Sequence, residues 1–118
     1  MEKIIDAIRT LRAPIQQGEY DLHNLVMDAL TAHGIPFAHE VKLAPRCRID
    51  LLCGGVGIEI KRGAVDKKRI LAQLERYAGC DQVEGLILVT EKTVPVPHAI
   101  HGKPVRLICL NRLWGIAL

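Results

Sequence analysis

Aromatic side chains and long apolar runs are both scarce in this chain. One Trp, two Tyr and one Phe make up 3% of its 118 residues, which argues against a platform of stacked aromatic rings for single-stranded nucleic acid. No apolar run approaches the ~20 residues that a membrane-spanning helix needs, and the first residues lack the apolar core and cleavage site of a signal peptide. From these absences we expect a cytoplasmic protein with no membrane partner.

Familiar cofactor and catalytic motifs are missing as well. The four cysteines form no C-x-x-C pair, which argues against a zinc site or an iron–sulfur cluster. There is no P-loop, no G-x-S-x-G motif and no Cys–His pairing with a recognisable spacing. A hydrolase or transferase acting on a small substrate therefore lacks support, and no small-molecule cofactor is expected.

The length fits one domain over residues 1–118. Hydrophobic periodicity predicts the order α, α, β, β, β, α, β, β. The predicted helices cover residues 2–13, 19–34 and 66–78, and the predicted strands cover residues 36–43, 46–53, 56–62, 85–90 and 104–111. Three antiparallel strands followed by a helical crossover to another strand indicate an α/β fold, an α+β mixed sheet with helices packed on it.

The stretch RIDLLCGGVGIEIKRG, residues 48–63, reads as a hairpin with acids inside its strands. Gly54–Gly55 suits a two-residue loop in which both residues have positive φ. The register then sets Asp50 opposite Glu59, with Lys61 on the same face. The other face of the hairpin is expected to be apolar, with Ile49, Leu51 and Cys53 against Val56, Ile58 and Ile60.

Two carboxylates in directly opposed positions, with Cβ atoms ~5 Å apart, repel each other. A divalent cation such as Mg²⁺ resolves this conflict, because it prefers one or two carboxylates together with waters and phosphate oxygens. Lys61 is placed to orient an attacking water or to offset charge on a phosphoryl oxygen. The alternative is a solvated sheet face on which Lys61 simply neutralises Glu59.

An Asp followed by Glu-x-Lys on the partner strand resembles the PD-(D/E)XK nuclease superfamily, with its restriction-endonuclease-like fold. The α-β-β-β-α-β order from Glu19 to Thr90 is similar to the common core of that family, with an extra N-terminal helix and a C-terminal strand. Gln73 and Tyr77 then form a Q-x-x-x-Y motif that resembles the RecB-like branch. Ile49 stands where the family name has proline, and the iron–sulfur cysteines of RecB-like exonucleases are missing.

The resemblance implies a Mg²⁺ or Mn²⁺ site held by Asp50, Glu59 and the carbonyl of Ile60. Glu19, at the start of the second helix, is the candidate that completes the metal shell, although an acid in a first helical turn also suits the helix dipole. His23, one turn further on, is the alternative candidate for that position.

The resemblance also implies roles for side chains around the metal. Lys61 would assist the water, Gln73 would help to hold the metal-site geometry, and Tyr77 would contact DNA, while a helix-packing role for Tyr77 stays open. Basic residues beside and within the first turn of the third helix suit phosphate contacts, although a solvated basic turn is the alternative. They are Arg62, Lys67, Lys68 and Arg69.

We therefore expect a metal-dependent deoxyribonuclease that hydrolyses phosphodiester bonds with a metal-activated water. The expected partner is DNA, with branched DNA and DNA ends included. The net charge of +3 permits such a partner but does not require it. A single site cuts one strand, so a homodimer is expected if both strands are cut. The alternative is a catalytically silent nuclease-fold module for DNA binding or assembly.

Overall fold

Four helices and six strands make up the part of the chain, residues 1–13 and 21–115, that the computed structural model describes. The helices are α1 (Glu2–Ile8), α2 (Leu22–Ala32), α3 (Lys67–Ala78) and α4 (Leu110–Leu113). The strands are β1 (Ala38–Ala44), β2 (Cys47–Cys53), β3 (Val56–Lys61), β4 (Gly85–Thr90), β5 (Ala99–Ile100) and β6 (Lys103–Cys109). Across these residues, no helix combines the length and the apolar character needed to cross a membrane.

The strands form one mixed sheet in the order β1-β2-β3-β4-β6-β5. Neighbouring strands are antiparallel from β1 to β3, and β3, β4 and β6 are parallel to one another. Since parallel neighbours need a long crossover, α3 connects β3 to β4. The predicted mixed α+β sheet, with a three-stranded meander and a helical crossover, is therefore confirmed.

Helices cover both faces of the sheet. On one face, residues of α1 and α2 such as Ile5 and Leu30 join Leu51 in a buried apolar cluster. On the other face, Leu74 of α3 belongs to a second cluster that includes Leu86. All six residues of β4 are buried, as its continuous apolar sequence indicates for a strand covered on both sides.

Some element ends differ from the expectations, and one strand was not expected. Helix α1 ends at Ile8 rather than at residue 13, and the Thr10 hydroxyl donates to the Ala7 carbonyl just beyond that end, at 2.6 Å. The last strand ends at Cys109, because α4 begins at the next residue. Strand β5 has only two residues, too few for a periodic signal.

The hairpin between β2 and β3 has the predicted register over its first three pairs. Cys53 pairs with Val56, and Leu51 pairs with Ile58. Gly54 has φ of +58°, which glycine adopts readily, whereas Gly55 is not among the residues with positive φ. The expectation that both glycines have positive φ is therefore wrong for Gly55, and positive φ at the first loop position alone is typical of a type II′ turn.

Candidate functional site

The regular pairing of β2 with β3 stops where the acidic residues begin. Leu51–Ile58 is the last pair of the ladder. Beyond it, the Ile60 N–H donates to Asp50 Oδ2 at 2.7 Å, and the Asp50 N–H donates to Glu59 Oε1 at 3.3 Å. Each carboxylate thus takes a backbone donor of the opposite strand. The predicted direct pairing of Asp50 with Glu59 is therefore not part of the ladder, and these two reciprocal bonds bring the two residues together between the strands instead.

The break changes which face the side chains of β2 occupy. In a regular strand, residues 49, 51 and 53 would share one face. Instead, Ile49 belongs to the cluster under α3, whereas Leu51 and Cys53 belong to the cluster under α1 and α2. The expectation that Ile49 shares an apolar face with Leu51 is therefore wrong. The alternation slips at Asp50, whose N–H is taken by a side chain rather than by the ladder.

Two further features of the backbone accommodate this slip. The register of β1 with β2 skips Glu40 and Asp50, and Glu40 has φ of +51°, which is rare for a residue other than glycine. On β3, Gly57 leaves room for the displaced Ile49, because a Cβ at Gly57 would overlap Ile49 Cδ1. The irregularity therefore involves all three strands of the meander.

Glu59 is a buried carboxyl group, with only 3% of its surface exposed. Its Oε2 lies 3.1 Å from Lys61 Nζ, and its Oε1 lies 3.1 Å from the Tyr77 hydroxyl. Burial raises the pKa of Glu59 to about 7, and the nearby Asp50 carboxylate adds to the rise while Lys61 opposes it. The Glu59 carboxyl therefore exchanges its proton near neutral pH.

Tyr77 links Glu59 to α3 and β2 through its hydroxyl group. That hydroxyl lies 2.8 Å from the Arg48 carbonyl oxygen and accepts a hydrogen bond from Gln73 Nε2 at 2.8 Å. Burial and then Glu59 raise the pKa of Tyr77, so its hydroxyl keeps the proton. The Tyr77 oxygen has two lone pairs, and Gln73 donates to one of them, so the other can accept from a protonated Glu59. An ionised Glu59 instead competes with the Arg48 carbonyl for the single hydroxyl hydrogen of Tyr77.

The structure therefore joins six of the predicted site residues in one network: Asp50, Glu59, Ile60, Lys61, Gln73 and Tyr77. Gln73 reaches Glu59 through the Tyr77 hydroxyl, which agrees with a role in holding the site geometry. Tyr77 itself is 1% exposed, so the structure places it inside the protein as a support for Glu59 rather than on the surface.

Only one of the two candidates for completing the metal shell can be located, and that candidate, His23, is not joined to this network. Glu19 lies outside the described residues. The His23 ring lies 6.4 Å from the His39 ring, and within the described ranges it forms no hydrogen bond or ion pair with Asp50 or Glu59. Its helix, α2, packs on the face opposite to α3.

The predicted basic residues lie around the start of α3. Lys67, Lys68 and Arg69 are exposed. Asp66 is the N-cap of α3, and its side chain accepts from the backbone N–H groups of Lys68 and Arg69. Two of the N–H groups at this helix end are thus already satisfied. Arg62 Nε lies 3.4 Å from a carboxylate oxygen of Glu91.

Sequence reasoning missed the basic residues on the other side of Gln73. A cavity of about 480 Å³ lies between the β1–β2 turn and α3, with Lys42, Arg46, Arg48 and Arg76 in its lining. A second cavity of about 430 Å³ contains Lys61, Arg62 and Arg69. The first set is split between residues 42–48 and α3, so no local motif could have revealed it.

The oxygen atoms of the site fit a hard divalent cation. Asp50 Oδ1 has no hydrogen-bond partner in the described part of the chain, and Mg²⁺ is commonly held by one or two carboxylates plus waters. The described residues contain no group of three or more His, Cys, Asp and Glu side chains that could hold a metal. Within the described residues, a site here would draw on Asp50, Glu59 and a backbone carbonyl, with waters or substrate oxygens among the other ligands.

Models of protein families, curated proteins and solved structures were each compared with this chain, and none of them matches it.

Proposed function

We propose that this protein is a metal-dependent deoxyribonuclease of the PD-(D/E)XK type, from the RecB-like branch. The observation that carries the proposal is the reciprocal pairing of Asp50 and Glu59 at the strand break, with Lys61 Nζ 3.1 Å from Glu59. The order of α2, β1, β2, β3, α3 and β4 supports it, because it agrees with the αβββαβ core of that superfamily. The substrate is DNA, with branched DNA and DNA ends included.

Asp50, Glu59 and the Ile60 carbonyl would hold Mg²⁺ or Mn²⁺, and Glu19 would complete the shell. When bound, such an ion lowers the pKa of a water and stabilises charge on the phosphoryl oxygens. Metal binding requires an ionised Glu59. Because the pKa of Glu59 is about 7, the affinity of the site for the metal rises with pH. Asp50 keeps its orientation through the Ile60 N–H.

The remaining residues of the site hold charges and positions. Lys61 is 36% exposed at its side chain, and it lines the 430 Å³ cavity, so its ammonium group is accessible to a water or a phosphate oxygen beside Glu59. Gln73 and Tyr77 fix the Glu59 carboxyl group through successive hydrogen bonds of 2.8 Å and 3.1 Å. This arrangement leaves Glu59 little freedom to turn away from Asp50.

A catalytically silent DNA-binding or assembly module is the second candidate. The observation that favours it is the internal satisfaction of the carboxylates. Glu59 already accepts from Asp50 N–H, interacts with the Tyr77 hydroxyl and pairs with Lys61, so the two acids tolerate each other without a cation. Repulsion between Asp50 and Glu59 therefore does not by itself require a metal ion.

Cleavage assays separate the two candidates. Supercoiled plasmid, linear duplex and branched DNA are incubated with the protein in Mg²⁺, Mn²⁺ or EDTA, and nicked and linear products are quantified. We expect metal-dependent cleavage that Asp50→Asn lowers at least about 100-fold, because a metal ligand is lost. Asp28→Asn, an exposed acid on α2, is the matched control and keeps full activity.

Failure of the wild type to cut any of these substrates, or equal cleavage by Asp50→Asn, would overturn the nuclease proposal. Salt-dependent binding without cleavage would instead support the silent module. Direct conversion of plasmid to the linear form, with a second-order dependence on protein concentration, is the result expected of a homodimer that cuts both strands.

A further inference from the structure

The cavity between the β1–β2 turn and α3 has a strongly one-sided charge. Four of the described residues that line it are cations, and no acidic residue is among the described residues of the lining. The four cations are Lys42, Arg46, Arg48 and Arg76. At about 480 Å³ the cavity has room for a solvated phosphate group.

Among residues 1–13 and 21–115, no acid acts as a counter-ion for the positive charges of this cavity. Within the described ranges, no carboxylate lies within ion-pair distance of any of the four cations, whereas Arg62 and Arg106 each pair with an acid. Lys42 also lies directly opposite Arg48 across β1 and β2. Like charges in such opposed positions repel, so an anion from outside the protein would relieve the repulsion.

The β1–β2 turn presents one of these cations at some conformational cost. Arg46 has φ of +60°, in the left-handed region that glycine and asparagine fill more readily. It follows Pro45 in the turn, and its side chain is exposed. The sequence thus keeps a charged residue at a turn position where a smaller one would be easier to accommodate.

The cavity adjoins the carboxylate pair through Tyr77. The Tyr77 hydroxyl lies 2.8 Å from the Arg48 carbonyl oxygen and 3.1 Å from Glu59 Oε1, so one group bridges the cavity wall and the site. Gln73 and Arg76 line this cavity and also the second one, which contains Lys61. The two cavities therefore lie side by side, with Gln73 and Arg76 common to both.

We infer that Arg46 and Arg76, with Lys42 and Arg48, form a phosphate-binding pocket for the DNA strand next to the phosphodiester that is cut. This inference rests on the proposed function and specifies the path of its substrate. The strand passes from the pocket, across Arg76, to the cavity of Lys61. Its backbone phosphates make the contacts, so binding is independent of base sequence and falls with salt.

The test measures binding apart from cleavage. A fluorescein-labelled 16-base-pair duplex is titrated with protein in EDTA, and fluorescence anisotropy gives Kd at several NaCl concentrations between 50 and 200 mM. Arg46→Gln/Arg76→Gln is compared with Arg12→Gln. Arg12 is exposed and follows α1, which packs on the face opposite to the pocket, so that control removes one charge elsewhere.

We expect the double variant to bind roughly 10- to 100-fold more weakly at 50 mM salt, with the slope of log K against log salt reduced by about 2, as two lost phosphate contacts require. Arg12→Gln should stay within twofold of the wild type. With Mg²⁺ and saturating DNA, the double variant should keep most of kcat and lose affinity through KM. An unchanged slope in the double variant would overturn the pocket.

The outcomes also separate this inference from the proposed function. Suppose that the wild type binds DNA with the expected salt slope, that the double variant has a reduced slope, and that no DNA is cut. This result would support the phosphate pocket and exclude the nuclease. Cleavage that depends on Asp50, together with a salt slope that is the same with and without Arg46 and Arg76, would support the nuclease and exclude the pocket. If the double variant does not fold, the exposed Lys42→Gln carries the same test, with a slope change of about 1.

Discussion

Two pairs of like charges face each other in the same three-stranded meander, and the protein treats them differently. Asp50 and Glu59 meet at the break between β2 and β3, where backbone N–H groups, a tyrosine hydroxyl and a lysine surround them. Lys42 and Arg48 meet across β1 and β2, exposed and without a carboxylate partner in the described part of the chain. Protein groups compensate the acids, whereas the cations are exposed to solvent.

This difference follows from burial. A carboxylate that is 3% exposed cannot rely on water, so the fold supplies donors and still leaves the pKa of Glu59 at about 7. Exposed Lys and Arg side chains keep their hydration and repel each other only weakly. The acid pair therefore affects stability strongly, and the cation pair affects mainly what the surface binds.

Glu59→Gln should have the largest effect on the free energy of unfolding. The folded state holds the Glu59 proton up to about pH 7, above its ordinary pKa of 4.5, so the unfolded state releases that proton at lower pH. The wild type therefore loses stability as pH rises from about 4.5 through 7, and we expect Glu59→Gln to be more stable at pH 8 by on the order of 3 kcal/mol.

Urea unfolding in EDTA at pH 4 and pH 8 measures this effect. The difference between variant and wild type should be small at pH 4, where both side chains are neutral, and large at pH 8. Glu75→Gln, an exposed acid on α3, is the matched control and should show no such pH dependence. A difference that is the same at both pH values would mean that Glu59 is not held in a raised-pKa environment.

Tyr77→Phe should have the next largest effect, because it removes an internal donor and keeps the buried ring. The Arg48 carbonyl loses its partner in the hydroxyl and the Gln73 amide loses its acceptor, a change that costs about 1–3 kcal/mol. Thermal unfolding measures the loss. If the nuclease proposal holds, kcat also falls roughly 10- to 100-fold, as for other residues that orient a metal ligand.

Gln73→Leu is the comparison for this variant. Gln73 is only partly buried and donates one bond to Tyr77, so its replacement should cost less stability than Tyr77→Phe while lowering kcat in the same direction. A Tyr77→Phe protein with wild-type stability and activity would show that the hydroxyl does not support Glu59.

The sequence predicted the frame of this fold because its signals are local. Asp66 caps α3 and the Gly54 turn sets the hairpin register, both through residues within a few positions of each other. The face of Ile49 could not be predicted in this way. It depends on the Asp50 N–H bonding to Glu59, nine residues away, and on the missing Cβ of Gly57.

The candidate site was predictable to a similar extent. The closeness of two acids with a neighbouring lysine was predictable from the hairpin, although Asp50 and Glu59 meet beyond the ladder through backbone-to-carboxylate bonds. The Q-x-x-x-Y spacing places Gln73 and Tyr77 on one helical face. The spacing does not reveal that the tyrosine ring is buried with its hydroxyl on Glu59. Nor does it reveal that Arg46 and Arg76 line one cavity, because only the packing of the β1–β2 turn near α3 brings them together.

Reversing one charge of the cation pair should produce the smallest change in stability. It tests directly whether the cation pair differs from the acid pair in what it binds. Lys42→Glu replaces a repulsive pair with an attractive one, and cross-strand pairs of this kind contribute about 0.2–1 kcal/mol. We expect Lys42→Glu to be slightly more stable than the wild type in 50 mM NaCl, with the gain lost in 1 M NaCl because exposed charges are screened. Lys42→Gln, which removes repulsion without adding attraction, should have a stability between those of the wild type and Lys42→Glu.

The same Lys42→Glu change should weaken DNA binding more than Lys42→Gln does, since it puts an acid into the phosphate pocket. A gain in stability without a loss of DNA binding would show that the exposed cation pair is unrelated to the partner, and that burial alone distinguishes it from the acid pair.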